Sequence, residues 1–130
     1  MPNWCENDLV CQGKKVDLIT LLLFVKGETD FDFNRIIPGD STEWGVKWNA
    51  DEIKIEPIED GYLGGTVTIH FNTAWSPPRE VILELSSYFP HILFTLSYYE
   101  RGQSYYGKSK LINRRYIREI EGDYFGPRGG

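Results

Sequence analysis

The chain has 130 residues, 41% hydrophobic and 25% charged, which fits one folded domain and excludes a disordered chain. The longest apolar run near the start, Leu21-Leu22-Leu23-Phe24-Val25, is too short to span a bilayer, and Met1 to Glu6 lacks the basic start of a secretory signal; a cytoplasmic protein is expected. The formal charge of −5 is unevenly placed: residues 1–100 hold 7 Lys and Arg against 16 Asp and Glu, and residues 101–130 hold 7 against 3, so the body repels phosphate backbones while the C-terminal part is basic.

Residues 3–12 alternate weakly ahead of Gly13 and read as a first strand. In such a strand Cys5 and Cys11 share a face with Asn7 and Leu9, about 20 Å apart at roughly 3.3 Å per residue, too far to pair. Lys14 to Lys26 reads as a helix with its inner stripe at Val16, Ile19, Leu22, Leu23 and Val25, stopped by Gly27. From Glu28 to Ala50 no period is sustained, yet Phe31, Phe33, Trp44 and Trp48 have strong reason to leave water. Glu52 to Glu56 is a short strand with Ile53 and Ile55 inward, and Thr66 to Asn72 is the cleanest strand, apolar at Val67, Ile69 and Phe71 and polar at Thr66, Thr68, His70 and Asn72.

Ser76-Pro77-Pro78-Arg79-Glu80 reads as a helix start, with Ser76 capping and Pro77 at the first helical position; Val81, Leu85 and Tyr88 form its buried stripe, with Ile82 and Phe89 beside them, and Pro90 ends it. The last core strand, His91 to Glu100, sets Ile92, Phe94, Leu96 and Tyr98 on one side and Leu93, Thr95, Ser97 and Tyr99 on the other. Lys108–Ile112 and Tyr116–Ile120 read as a hairpin about Asn113-Arg114-Arg115, in competition with an amphipathic helix through Ile112, Tyr116 and Ile120. Gly126-Pro127-Arg128-Gly129-Gly130 reads as a frayed end. The order β-α-β-β-α-β predicts an α+β, ferredoxin-like domain over residues 1–107, with antiparallel sheet order 4-1-3-2 and both helices on one face, and a C-terminal extension, 108–130, packed on or beside it.

Four segments then stand together: the opening Met-Pro-Asn-Trp-Cys-Glu-Asn, Phe31-Asp32-Phe33-Asn34-Arg35-Ile36-Ile37-Pro38, Trp44-Gly45-Val46-Lys47-Trp48-Asn49-Ala50, and Phe71-Asn72-Thr73-Ala74-Trp75-Ser76-Pro77-Pro78. Over residues 1–107 the chain resembles the YubB-type, or Api-like, ferredoxin-like family of phages, plasmids and other bacterial mobile elements. The resemblance implies the same two-helix, four-strand arrangement and no particular reaction. Val46, and the short ending after the last core strand, depart from the family pattern.

Among candidate sites, Trp4, Trp44, Trp48 and Trp75 fall at element ends or in the long loop. Indoles anchor such a loop efficiently; with Lys47, Asn34 and Asn72 they also offer a groove for a peptide or ring-bearing ligand. His70 and His91 with Cys5 and Cys11 have the right chemistry for zinc but no ligand spacing, so no metal and no cofactor are expected. Asp30, Asp32, Asp40, Glu43, Asp51 and Glu52 read as a solvated acidic loop rather than a catalytic pair. Tyr98, Tyr99, Tyr105 and Tyr106 with Lys108, Lys110, Arg114 and Arg115 suggest single-stranded nucleic acid on an open sheet face, opposed by Glu6, Asp8 and Glu56 on that face.

The expectation is a non-catalytic accessory protein, a monomer or weak homodimer, that binds a protein partner. Its site comprises Trp44, Lys47, Trp48 and Trp75, with Asn34 and Asn72 as orienting groups; nucleic-acid binding through the sheet and the basic C-terminal segment is the alternative. Were chemistry present, Lys47 and Asp51 are the pair to carry it.

Overall fold

A computed structural model describes residues 3–61, 63–100, 102 and 105–123, together with the backbone but not the side chains of Ser41 and Asp123. The Gly126–Gly130 ending lies outside the described residues. Strand β1 runs Trp4–Gly13, helix α1 Lys15–Val25, a 3-10 turn Phe33–Arg35 and a short helix α2 Ser41–Trp44. There follow β2 Asp51–Ile55, β3 Glu59–Gly61, β4 Gly64–Ala74, α3 Arg79–Tyr88, β5 Leu93–Glu100, β6 Tyr105–Ile112 and β7 Arg115–Asp123. The strands form one antiparallel sheet in the order β2-β4-β1-β5-β6-β7, with β3 also on β4. With β2, β4, β1 and β5 as the core strands, this is the ferredoxin-like order expected from the sequence.

Alternation decides which side each residue takes. Cys5, Asn7, Leu9 and Cys11 of β1, Val67, Ile69 and Phe71 of β4, and Phe94, Leu96 and Tyr98 of β5 are all buried on the helix side. Both thiols sit in this core. Burial pushes the Cys5 thiol up to about 12, with Glu100 adding to it, and burial raises Cys11 further, so neither is a ready nucleophile or metal ligand.

Of the stripe the sequence suggested for helix α1, Val25 is buried and Leu22 packs partly buried against the core, but the rest of the inner face differs. Leu18, Leu21 and Val25 are fully buried, while Val16, Ile19 and Leu23 are 65%, 51% and 69% exposed. This helix is apolar nearly all round, so periodicity did not select a face; packing against β1 and β4 did. Helix α3 begins at Arg79 with Pro78 as its N-cap residue and no side-chain cap. Ser76 is not the cap, because Pro78 disfavours helical backbone at Pro77; the Ser76 carbonyl instead accepts from the Thr73 hydroxyl at 2.6 Å. Val81, Ile82, Leu85 and Ser86 are its buried residues, and Tyr88 is corrected to the surface, where its hydroxyl donates to Glu84 and its ring meets Phe24.

The hairpin reading holds and the helical alternative does not: β6 and β7 pair around Asn113 and Arg114, both with positive φ (46° and 63°), as a two-residue type I′ connection requires. Strand β6 runs unbroken through residue 107 and pairs with β5, so the hairpin prolongs the core sheet. Arg114 anchors it to α3 through Glu84 and the Ser86 hydroxyl.

The 28–50 connection is held by one carboxylate. Asp32 accepts from the Glu28 amide (3.1 Å), the Asn34 amide (3.0 Å) and the Asn49 side chain (2.8 Å). Asn49 in turn accepts from the amides of Phe33 and Ala50. Asp32 is only 5% exposed, so it is a structural pin rather than part of a solvated acidic loop. Around it Phe31 and Phe33 are fully buried, packed on Phe71.

Candidate functional site

The face of the sheet opposite the helices is open, and its charges are sorted across the strands. Pairing registers give the rows directly. One row runs Asp51, Asn72, Glu6, Tyr99, Tyr106, Gly122; the next Lys54, His70, Asp8, Ser97, Lys108, Ile120; the third Glu56, Thr68, Val10, Thr95, Lys110, Arg118. On β1 and β2 these rows hold Glu6, Asp8 and Asp51 against Lys54, with Glu56 just beyond β2; the β5 positions in them, Thr95, Ser97 and Tyr99, carry no charge, and Lys108, Lys110 and Arg118 make the β6–β7 half basic.

On the acidic half a recess of about 500 Å³ is lined by Trp4, Glu6, Asp8, Glu52, His70 and Asn72, with Asn3, Asn7, Phe71, Glu100 and Gly102 completing it. Four carboxylates line it against one imidazole. At its rim the Trp4 and Trp48 rings are 5.9 Å apart, and the Lys47 ammonium lies 4.9 Å from the Trp48 ring centroid. Trp48 is 43% exposed, so a desolvating partner has indole surface to cover.

His70 ties the floor together. Nδ1 lies 2.6 Å from Asp8 Oδ1 and Nε2 2.7 Å from Glu56 Oε2, so only the imidazolium can donate to both. Burial works against that charge, but the hydrogen bonds and charges of Asp8 and Glu56 outweigh it and raise His70 above the ordinary imidazole value.

The six residues singled out in the sequence occupy three places. Lys47 and Trp48 stand together against Trp4, which lines the recess, and Asn72 lines it as well. Trp44 is 9% exposed, donates its indole N–H to the Ile37 carbonyl at 2.8 Å and packs edge-on against Phe33. Asn34 accepts from the Gly39 amide at 2.9 Å and closes the turn before α2. Trp75, with φ of +70°, edges a separate cleft of about 700 Å³ beside Arg79, Tyr98, Tyr105 and Glu121. There Arg79 pairs with Glu119 and lies over the Tyr116 ring, and the Tyr105 hydroxyl donates to the Trp75 carbonyl. Asp51 accepts from the Glu52 amide, while Lys47 is turned to Trp48.

Sequence reasoning missed the Trp4–Trp48 contact and the His70 clamp, whose partners lie 62 and 14 residues away. It had Glu6, Asp8 and Glu56 on the open face from alternation, but treated them only as an objection to nucleic acid. Cys5 and Cys11 lie on the opposite face of the sheet from His70, and among the described residues no group of three His, Cys, Asp or Glu side chains is arranged to hold a metal ion. No helix among the described residues is long and apolar enough to cross a membrane.

A family model described as the ferredoxin-like domain in Api92-like protein matches residues 43–125. The crystal structure of a protein api92 from Yersinia pseudotuberculosis shares the fold, with a TM-score of 0.56 and 19% sequence identity over 74% of this chain and 40% of that one. This chain thus spans well under half of that protein. No curated protein matches it.

Proposed function

The chain belongs to the family of ferredoxin-like domains in Api92-like proteins, a family found in mobile-element proteins, and from that premise we propose that it is a protein-binding module taking a Lys- and Arg-rich segment of its partner on the acidic half of the open sheet face. Glu6, Asp8 and Glu52 supply the opposing charge, and the Trp4–Trp48 pair supplies aromatic surface on which a cationic side chain can lie. The observation that carries this reading is the coincidence of a carboxylate-lined recess with the half-buried Trp4 in its lining and the exposed Trp48 ring against it. Trp44 and Asn34 then serve by holding the loop that presents Lys47 and Trp48, and Asn72 orients polar groups on the floor. Buried reduced thiols fit work in the cytoplasm.

Tyr99 and Tyr106, opposite one another beside Lys108 and Lys110, favour single-stranded nucleic acid as the rival. Against it, the open-face positions on the two central strands carry Glu6, Asp8, His70 and Asn72, where stacking rings are wanted.

Tryptophan-fluorescence titration separates the two, using a Lys/Arg-rich peptide, a Glu-rich peptide and oligothymidine. The basic peptide should bind, and binding should weaken by about tenfold or more in Trp48→Ala and at about 0.5 M salt. Retention of oligothymidine with no binding of the basic peptide would refute the reading.

A further inference from the structure

Resting on the acidic-recess reading, we infer that the first basic segment this recess meets is the β6–β7 hairpin of a second copy of the same chain, giving a face-to-face two-fold dimer. The open face is self-complementary: Glu6, Asp8 and Asp51 outnumber Lys54 on β1 and β2, the open-face positions Thr95, Ser97 and Tyr99 of β5 are uncharged, and Lys108, Lys110 and Arg118 stand on β6 and β7. A two-fold axis parallel to the strands and lying over β5 exchanges the two halves. It sets β1 of one copy over β6 of the other and β4 over β7, while keeping each row in register. Asp8 then faces Lys108, and Arg118 comes over Thr68, next to Glu56, with each of these contacts made twice. Sheets stacked this way lie about 10 Å apart, a gap that Tyr99, Tyr106 and Trp4 are long enough to fill.

Size sets the strength. Five strand spacings of about 4.8 Å and seven residues along β4 give a face of about 24 by 20 Å, or roughly 1,000 Å² buried by two copies, the lower edge of specific interfaces. Charge pairs over so small an area steer and register association more than they tighten it. The dimer is therefore weak and salt-sensitive, exchanging with partners that offer the recess a better basic segment.

The test is sedimentation equilibrium of the full chain, with circular dichroism to verify folding of each variant. Wild type should shift toward dimer mass at low salt and weaken by about tenfold or more at about 0.5 M salt. Lys108→Glu/Lys110→Glu should be monomeric, as should Glu6→Lys/Asp8→Lys, and an equimolar mixture of the two should recover the dimer. If the acidic-side variant fails to fold, Arg118→Glu and the salt series on wild type still decide. A monomeric wild type at low salt, a dimer indifferent to Lys108→Glu/Lys110→Glu, or a monomer that takes up oligothymidine through the hairpin overturns the inference. A wild-type monomer that still binds the Lys/Arg-rich peptide removes the dimer alone, whereas loss of peptide binding as well removes the recess reading with it.

Discussion

Replacing Asp32 by alanine should loosen the loop that carries Lys47 and Trp48 without unfolding the sheet. Three donors lose their acceptor, but Glu28 and Asn34 are exposed residues whose amides regain water, so the bond from the half-buried Asn49 side chain is the one that matters. A hydrogen bond to a charged group contributes about 1.5–3 kcal/mol, which sets the cost at about 2 kcal/mol, against a total stability of about 5–15 kcal/mol. Urea unfolding followed by tryptophan emission reads this through Trp44, buried against Phe33. With a slope of about 1–3 kcal/mol per molar, the midpoint should fall by about 0.7–2 M. Burial raises the Asp32 carboxyl, but the hydrogen bonds from Asn49, Glu28 and Asn34 and the nearby Arg35 outweigh it and hold it below the ordinary value. Its contribution is thus fully present above the unfolded value of about 3.9 and is lost as pH falls through the lowered native one. The stability gap between wild type and Asp32→Asn should close over that acid window. A midpoint shift worth under about 1 kcal/mol for Asp32→Ala, or a gap to Asp32→Asn that does not change with pH, would show that Asp32 does not pin the loop.

His70 has a raised native value, so its clamp stabilises fully below the unfolded value of about 6.5 and is lost as pH rises through the native one; His70→Gln should abolish that decline in a series of melts from about pH 6 to 9. On α1, Leu21→Ala should cost about 2–5 kcal/mol and Leu23→Ala under about 1 kcal/mol by urea unfolding; equal costs would refute the assigned inner face. In Gly107→Ala the new Cβ would collide with the Tyr98 hydroxyl and ring edge, so a loss of about 1–3 kcal/mol is expected, and much less of one in a Tyr98→Leu background; equal losses in both backgrounds would clear Tyr98 of the clash.

Local rules were sufficient for much of this molecule. The period-two alternation of residues 66–72 and 92–99 set which side chains go under the helices, because a strand offers only two faces. The two strand-like runs flanking Asn113-Arg114-Arg115 offered the hairpin in competition with a helix, and the positive φ at Asn113 and Arg114 shows which of the two forms. What alternation could not supply was neighbours. Helix α1 is apolar on most sides, so only its fit against β1 and β4 chose Leu18 and Leu21 over Val16 and Leu23. Asp32 looked like one acid among many until the turn at 33–35 and the approach of Asn49 surrounded it with donors. The same holds for function: Glu6, Asp8 and Glu56 become one acidic field, with Lys108 and Arg118 beyond the neutral β5, only because the strand order brings residues 6, 56 and 70 together and sends the hairpin to the far edge. Sequence fixes the side of the sheet through a period of two residues; strand order, set by packing over tens of residues, decides which charges share a field.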